Sequence, residues 1–294
     1  MISTAAWNSI FTPLCPTPDQ MDFVSLSNYT ARTATWGQGP PLVILPGIAG
    51  GFELLGPVIR ELSKSFKVYS YQYQGEDNFF SVRNSISFSD FEQDLDELLE
   101  FWNLEKPNLF GASFGGALAL KYTLNHPYKL GSVITQGTGS KFERGMIQRL
   151  AALILSYYQL PDTNPLVNQF FRLFLGGKTF SNEQIDAIAR VCWSTDQAVI
   201  RSRLRILKHF DLSNCRRKIA VPSLFLKGQK DILLSQENFA QLQDVSNQSE
   251  MHILGGLGHL AFMQSPELIA KIISDFIFNT VENSDVQSQT NKLA

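Results

Sequence analysis

The 294-residue sequence predicts an α/β fold, in which a mostly parallel central sheet is flanked by helices and carries a helical cap insertion. Short apolar runs alternate with helical runs over most of the chain, which is typical of a parallel sheet covered by helices. Strand signals then stop over residues 141–218, where several helices are predicted instead. We therefore expect residues 1–140 and 219–280 to form the core, residues 141–218 the helical cap and residues 281–294 a flexible C-terminal tail.

Six apolar segments predict the strands of the sheet. In chain order they are Pro41–Leu45, 66–71, Leu109–Phe110, Leu130–Gln136, 221–227 and Met251–Leu254. Helices are predicted at about 52–63, from Ser89 onwards, at 114–125, from Pro266 to about Asn279, and in the cap at about 143–159, 164–175, 181–193 and 195–209. Two of these helices begin with capping boxes, Ser89 with Glu92 and Ser181 with Gln184.

Composition and charge narrow the class of protein. With 44% hydrophobic residues the chain can build a substantial core, and its net charge of −2 argues against general nucleic-acid binding. No segment approaches the ~18 apolar residues of a membrane span, and the first residues lack the pattern of a signal peptide. The cysteines, Cys15, Cys192 and Cys215, are too scattered for a disulfide framework or a metal site. We expect a cytoplasmic protein without a cofactor that acts on a small molecule, and a homodimer stays open.

The segment LFGASFGGALAL raises the first functional question. Ser113 lies between glycines where a predicted strand turns directly into a helix. One interpretation is a tight turn that presents the Ser113 hydroxyl as a nucleophile, and the other is a helix start with Ser113 as its N-cap. A chain with 20 glycines contains Gly-x-Ser-x-Gly by chance often enough that the motif needs support from the rest of the sequence.

A serine hydroxyl becomes a good nucleophile only when a base takes its proton and a carboxylate orients that base. His259 follows the last strand in the Gly-rich loop LGGLGHL, where a side chain can turn back over the sheet edge. Asp231 lies just past the fifth strand in LKGQKD, whereas the loop after the fourth strand, TQGT, offers no carboxylate. The resulting order Ser113, Asp231, His259 is that of the nucleophile-elbow enzymes.

The other three histidines have simpler interpretations. His126 ends the helix that precedes Pro127, and His209 lies in the basic exit helix of the cap. His252 lies inside a predicted strand, where we expect a packed or hydrogen-bonded side chain.

These motifs together resemble the α/β-hydrolase fold superfamily, as a serine hydrolase with a helical cap, over roughly Pro40 to Asn279. The resemblance rests on LFGASFGG around the serine, VPSLFLKGQKD around the acid and GGLGHLAFMQSPE around the histidine. It implies that Ser113 is the nucleophile, that His259 acts as general base and then general acid, and that Asp231 orients His259.

The resemblance also implies an oxyanion hole made by the backbone N–H groups of Phe114 and Ile48, with Ala49 as the alternative to Ile48. Relatives usually carry His-Gly where this chain has Pro46-Gly47, and often Asp-x-Arg-Gly-x-Gly where it has YQYQGE at 71–76. Neither departure removes a member of the triad. A serine at the nucleophile position disfavours dehalogenase and epoxide-hydrolase chemistry, which uses a carboxylate nucleophile in this fold.

Three groups of side chains have two interpretations each. The large apolar residues of the cap either form a lid over an apolar pocket or simply pack the cap helices on the core, and we favour packing. They are Leu150, Leu153, Ile154, Tyr157, Tyr158, Phe170, Phe171 and Phe174.

The basic residues near the cap exit either bind an anionic substrate group or form a solvated face, and we favour the solvated face. They are Arg201, Arg203, Arg205, Lys208, Arg216, Arg217 and Lys218. The acidic residues of the helix after Ser89 are interpreted as a solvated face rather than a metal site: Asp90, Glu92, Asp94, Asp96, Glu97 and Glu100.

The sequence thus predicts a serine hydrolase that cleaves an ester or related acyl bond of a small, lipophilic substrate through an acyl-enzyme. Cleavage of amides, thioesters and C–C bonds, and perhydrolysis, use the same triad in this fold and stay open. The alternative from another class is a ligand-sensing or partner-binding protein with little or no turnover.

Overall fold

The computed structural model describes residues 14–76, 86–142 and 180–292, together with residues 165, 169 and 172. Within these residues eight strands form one sheet: β1 (Gln20–Ser25), β2 (Thr30–Trp36), β3 (Pro41–Leu45), β4 (Lys67–Tyr71), β5 (Asn108–Ala112), β6 (Ser132–Gln136), β7 (Ser223–Gly228) and β8 (Ser249–Leu254). Their order is β1-β2-β4-β3-β5-β6-β7-β8. β1 and β2 pair antiparallel with their neighbours, and β3 to β8 run parallel to one another.

Helices connect the strands. Those described are α1 (Gly56–Leu62, after a 3₁₀ turn at Phe52–Leu55), α2 (Phe88–Phe101), α3 (Phe114–Asn125), α4 (Asn182–Trp193), α5 (Gln197–Leu207), α6 (Gln236–Ala240, followed by a 3₁₀ turn at Gln241–Val245), α7 (Ala261–Gln264) and α8 (Pro266–Lys292). α4 and α5 lie between β6 and β7 in the chain, where the cap insertion is predicted.

The core has two apolar layers, one on each face of the sheet. Alternate residues of β3 divide between them: Leu42 and Ile44 pack with α1, α4 and α8, whereas Val43 and Leu45 pack with α2 and α3. This alternation follows from the two-residue period of a strand, and burial of both faces explains why every residue of β3 is apolar.

The strand order places a crevice at the centre of the sheet. β3 lies between β4 and β5. The chain passes from β3 to β4 on one side of β3, and the later strands β5 to β8 lie on its other side. Such a topological switch point opens a crevice at the carboxyl ends of the strands, where open α/β sheets bind ligands. The segment after β3 and the turn after β5, which contains Ser113, both lie at this point.

The structure confirms the predicted fold class and all six predicted strands, with three corrections. β1 and β2 are additional strands that the sequence interpretation missed. α2 begins after Ser87 rather than Ser89, because the Asp90 carboxylate accepts hydrogen bonds from both the Ser87 N–H and its hydroxyl, each at 2.7 Å. The last helix continues to Lys292, since no glycine or proline follows Pro266 to end it.

In the segment predicted to form the cap, α4 begins at the predicted Ser181 and Gln184 capping box. The predicted helices 143–159 and 164–175 lie outside the described residues apart from isolated positions.

The prediction that the acidic residues of α2 form a solvated face is wrong for two of them. Glu92 and Asp94 are buried, and they accept hydrogen bonds from the side chains of Asn125 and Asn28 respectively. None of the described helices combines the length and apolar character that crossing a membrane requires.

Candidate active site

Ser113 occupies a strained turn between β5 and α3. Its backbone has φ 52° and ψ −108°, in a region that side-chain-bearing residues rarely adopt and that concentrates at functional sites. The Ser113 hydroxyl makes no capping hydrogen bond to α3. The N-cap interpretation therefore fails for the side chain, and the turn instead presents the hydroxyl, half-buried, at the crevice.

The glycines around Ser113 are required by close packing of the backbone. A Cβ on Gly111 would lie 2.3 Å from the Gly115 carbonyl oxygen, and one on Gly115 would lie 2.3 Å from the carbonyl oxygen of Leu45. A Cβ on Gly116 would lie 2.0 Å from the Thr138 hydroxyl. The Gly-x-Ser-x-Gly pattern is thus a steric condition for packing the start of α3 against β3 and β5, and not a chance occurrence.

His259 lies in the loop between β8 and α7, and its ring points towards Ser113. The distance between His259 Nε2 and Ser113 Oγ is 3.0 Å. The Gln136 side chain donates a hydrogen bond to the His259 carbonyl at 2.9 Å, which fixes the loop against the end of β6. Gly137 leaves room for the imidazole, since a Cβ there would lie 3.0 Å from His259 Cε1.

Asp231 holds the other side of the imidazole. Its Oδ2 lies 2.9 Å from His259 Nδ1, and its Oδ1 accepts hydrogen bonds from the N–H groups of Leu233 at 2.9 Å and Leu234 at 3.2 Å. Burial of the Asp231 side chain would by itself raise the pKa of the carboxyl group. The charge and hydrogen bond of His259, the Leu233 N–H and the nearby Lys227 ammonium outweigh it, so the pKa of Asp231 lies below its ordinary value.

The 2.9 Å contact between His259 Nδ1 and the Asp231 carboxylate fixes the roles of the hydrogen-bonding atoms. An ionised carboxylate can only accept, so His259 Nδ1 must carry a proton and donate it to Asp231. In the neutral imidazole Nε2 is then unprotonated and accepts from the Ser113 hydroxyl. The three residues therefore form a directed chain from Ser113 Oγ–H through His259 to Asp231.

This pKa predicts a pH dependence of stability. A carboxyl group whose pKa is lower in the folded state contributes stability above its unfolded-state pKa, and this contribution is lost as pH falls through the folded-state pKa. We expect the difference in unfolding free energy between wild type and Asp231→Asn to be largest near neutral pH. It should shrink as pH falls below the ordinary Asp value of 3.8. Urea unfolding over a pH series measures it, and a difference independent of pH would contradict the assignment.

The segment after β3, Pro46–Gly51, lies against the turn that holds Ser113, and we call it the oxyanion loop after the role that the sequence predicts for it. A Cβ on Gly47 would lie 3.7 Å from the Ala112 carbonyl oxygen, and one on Gly115 would lie 2.4 Å from that of Pro46. The predicted donor Ile48 is therefore on a segment packed on the first turn of α3, which begins with the predicted donor Phe114. The Phe114 ring is fully buried and anchors this helix start in the core.

Arg203 of α5 lies beside the oxyanion loop, where its Nη1 donates to the Ile48 carbonyl oxygen at 2.9 Å. The sequence favours a solvated basic face at this position, yet the Arg203 side chain is only 1% exposed and forms an ion pair with the buried Glu76. The signal for its burial is its spacing, because Arg203 falls in the apolar stripe of α5 between Ile200 and Ile206.

The remaining histidines lie outside the constellation. His126 stacks on Tyr122 at the end of α3, with ring centroids 4.4 Å apart. His209 and His252 are exposed. Of the two interpretations of His252, packed or hydrogen-bonded, the packed one is wrong, because His252 lies on the edge strand β8, with its Nε2 3.8 Å from a Glu250 carboxylate oxygen. Over residues 14–76, 86–142 and 180–292, no group of three or more His, Cys, Asp or Glu side chains is placed to hold a metal ion.

The fold and the site define an α/β protein with a strained serine at the topological switch point and a histidine and an aspartate aligned behind it. The family model described as alpha/beta hydrolase fold matches residues 40–266, and the chain belongs to this family.

Among relatives, the chain is 24% identical over 267 residues to a poly(3-hydroxyalkanoate) depolymerase from Ectopseudomonas oleovorans, covering 89% of this chain and 94% of that protein. It is 23% identical over 254 residues to a pimeloyl-[acyl-carrier protein] methyl ester esterase from Aeromonas hydrophila, covering 82% of this chain and 97% of the relative. Its fold matches that of an esterase from Exiguobacterium antarcticum with a TM-score of 0.77 and 20% identity, over 88% and 99% of the two chains.

Proposed function

We propose that the protein is a serine hydrolase that cleaves an ester or related acyl bond of a small, lipophilic substrate through an acyl-enzyme. The observation that carries the proposal is the alignment of Ser113 Oγ, His259 and Asp231, with contacts of 3.0 Å and 2.9 Å, behind a serine held in a strained turn. A role as helix cap accounts for neither the backbone strain nor the direction of the hydroxyl.

The chemistry begins at Ser113. Its Oγ attacks the carbonyl carbon of the substrate while its proton passes to His259 Nε2, and a tetrahedral intermediate forms. The bond to the alcohol then breaks, and His259 returns the proton to the leaving oxygen. Water attacks the acyl-enzyme by the same route, with His259 again taking and returning one proton, and releases the carboxylic acid with Ser113 restored.

Asp231 supports each of these proton transfers. It holds the tautomer in which Nε2 can accept a proton, and its charge stabilises the imidazolium that forms when Nε2 does so. Because the carboxylate is buried and bonded to two backbone N–H groups, it can turn very little, and the imidazole is held with it.

The negative charge on the carbonyl oxygen requires donors in fixed positions. The N–H of Phe114, at the N-terminus of α3, and that of Ile48 in the oxyanion loop are the proposed donors. The packing of Gly115 and Gly47 across the two segments supports this assignment, because it keeps the two backbones together.

The type of substrate is supported by the relatives and by the cap. The relatives include a methyl ester esterase and a depolymerase, which favours an ester bond. The lipophilic character of the substrate rests on the other interpretation of the large apolar residues over 150–174, in which they form a lid over an apolar pocket; these residues lie outside the described ones apart from isolated positions.

A series of p-nitrophenyl esters of increasing acyl length tests the proposal. We expect turnover of the esters with a dependence of kcat/KM on chain length, since an apolar pocket gains binding energy with each methylene until it is filled. Tight binding of such compounds with a large rise in thermal stability and no product would instead support the ligand-binding alternative.

A further inference from the structure

Arg203 of α5 is buried against the oxyanion loop, although it comes from the cap. Its Nη1 donates a hydrogen bond to the Ile48 carbonyl oxygen at 2.9 Å and pairs with Glu76 Oε1. Its Nη2 donates to the Gln74 carbonyl oxygen at 3.1 Å, and its guanidinium carbon lies 5.1 Å from the centre of the Tyr73 ring. One side chain thus connects the cap, the oxyanion loop and the segment after β4.

Thr195, at the junction of α4 and α5, adds a second connection. Its hydroxyl donates to Glu76 Oε2 at 2.5 Å and accepts from the Gly50 N–H at 2.9 Å. Glu76 therefore receives one hydrogen bond on each carboxylate oxygen, one from Arg203 and one from Thr195. We call these three side chains, Arg203, Glu76 and Thr195, the cap clamp.

The cap clamp holds the backbone on one side of the proposed donor. The Ile48 carbonyl, which accepts a hydrogen bond from Arg203, belongs to the same planar peptide as the Ala49 N–H. Because the C=O and N–H of a trans peptide point in opposite directions, the Ala49 N–H must point away from Arg203. On the other side, the Tyr73 hydroxyl donates to the Pro46 carbonyl oxygen at 3.1 Å. The peptide that carries the Ile48 N–H lies between these two held peptides, so its orientation depends on both.

We propose that Arg203, supported by Glu76 and Thr195, is a positioning residue that sets the oxyanion-loop donor and couples it to the seating of the cap on the core. The proposal rests on the proposed function, because it assigns Arg203 a role in stabilising the oxyanion. Only a guanidinium can make these contacts together, since its planar fork of N–H donors serves Ile48, Gln74 and Glu76 at once.

The test compares Arg203→Lys with Ile206→Ala in the full chain. Lysine keeps the positive charge beside Glu76 but lacks the fork of N–H donors. Ile206 is a buried residue of the same helix, so Ile206→Ala loosens α5 without removing a clamp contact. Two readouts are taken: kcat and KM on the p-nitrophenyl ester series, and hydrogen–deuterium exchange of peptides covering residues 46–51.

Arg203→Lys should lower kcat between about 10-fold and about 100-fold with little change in KM, because a misplaced oxyanion donor weakens only transition-state binding. Exchange over residues 46–51 should become faster than in wild type and faster than in Ile206→Ala. If Arg203→Lys does not fold, Thr195→Val removes a neutral hydroxyl from the same clamp and should change both readouts in the same direction, to a smaller extent.

Three results would overturn the inference: an unchanged kcat, unchanged exchange over residues 46–51, or equal effects of Arg203→Lys and Ile206→Ala at equal loss of stability. The ester series on the wild type separates this inference from the proposed function. A wild type without turnover refutes the proposed function and, with it, a role for Arg203 in catalysis. The exchange comparison then still tests whether Arg203 holds the loop.

Discussion

Ser113→Ala is expected to lower kcat by a factor on the order of 10⁴ or more, with the fold unchanged. Alanine lacks only the hydroxyl group of serine. In the structure this hydroxyl contacts His259 Nε2 rather than the backbone of α3. The strained backbone stays equally strained with alanine, because both residues carry a Cβ. The measurement is steady-state turnover of p-nitrophenyl esters together with urea unfolding of both proteins.

Ser132→Ala is a matched control for this variant. Ser132 is a buried serine at the start of β6, and its hydroxyl bonds the Asn108 side chain away from the carboxyl ends of the strands. It should lose stability through that bond and keep its turnover per folded molecule. If Ser113→Ala kept more than about a tenth of the wild-type kcat, the nucleophile would have to be a different residue.

Gly115→Ala should have the largest effect on stability. Alanine in place of glycine inside a helix normally stabilises by about 1 kcal/mol. Here the added Cβ would lie 2.3 Å from the carbonyl oxygen of Leu45 and 2.4 Å from that of Pro46, and neither is a side chain that can turn aside. We expect a loss of about 3 kcal/mol in the free energy of unfolding, from displacement of α3 away from β3. Urea unfolding measures it.

Gly255→Ala is the control, because a Cβ on Gly255 meets no atom within 4 Å. Its unfolding free energy should stay within about 0.5 kcal/mol of wild type. A Gly115→Ala protein as stable as Gly255→Ala would mean that the helix start is not packed on β3 as described. The folded fraction of Gly115→Ala should also lose turnover, since α3, which begins with the proposed donor Phe114, would move away from Pro46 in the oxyanion loop.

The parts of the fold that the sequence predicts well are those in which a local pattern and long-range packing agree. The central strand β3 is buried on both faces and therefore reads as a continuous apolar run. The same agreement holds for the positions of the three candidate site residues, which follow β5, β7 and β8. Ser113, Asp231 and His259 each lie in a loop whose glycines mark a sharp turn, and the strand order brings those loops to one edge.

β2 does not read as an apolar run because half of its six buried positions are polar or charged. Arg32, Thr33 and Thr35 are all buried within it, and the charge of Arg32 is met by Glu53 at 2.6 Å. β1 was missed because it is an edge strand with most positions exposed, including Phe23 at 69%. A search for apolar runs finds neither strand, since the burial of Arg32 in β2 depends on a charge elsewhere in the chain and β1 is scarcely buried.

Arg203 shows the same limit at the site. The sequence places it in a run of arginines, which favours a solvated face, and Glu76 lies 127 residues earlier in the chain. Its position in the apolar stripe of α5 predicts burial, but no local pattern identifies the carboxylate that offsets the cost of burying its charge. The ion pair could be found only by bringing α5 and the segment after β4 together in three dimensions.

Reaction with a fluorophosphonate, followed by digestion and mass spectrometry, tests the central claim most directly. This reagent phosphonylates a serine only where a base has activated its hydroxyl, so it reports the nucleophile without knowledge of the substrate. We predict a single modified residue, Ser113, with modification abolished in Ser113→Ala and greatly slowed in Asp231→Asn. Modification at another residue, or a folded wild-type protein that stays unmodified, would contradict the assignment of Ser113 as an activated nucleophile.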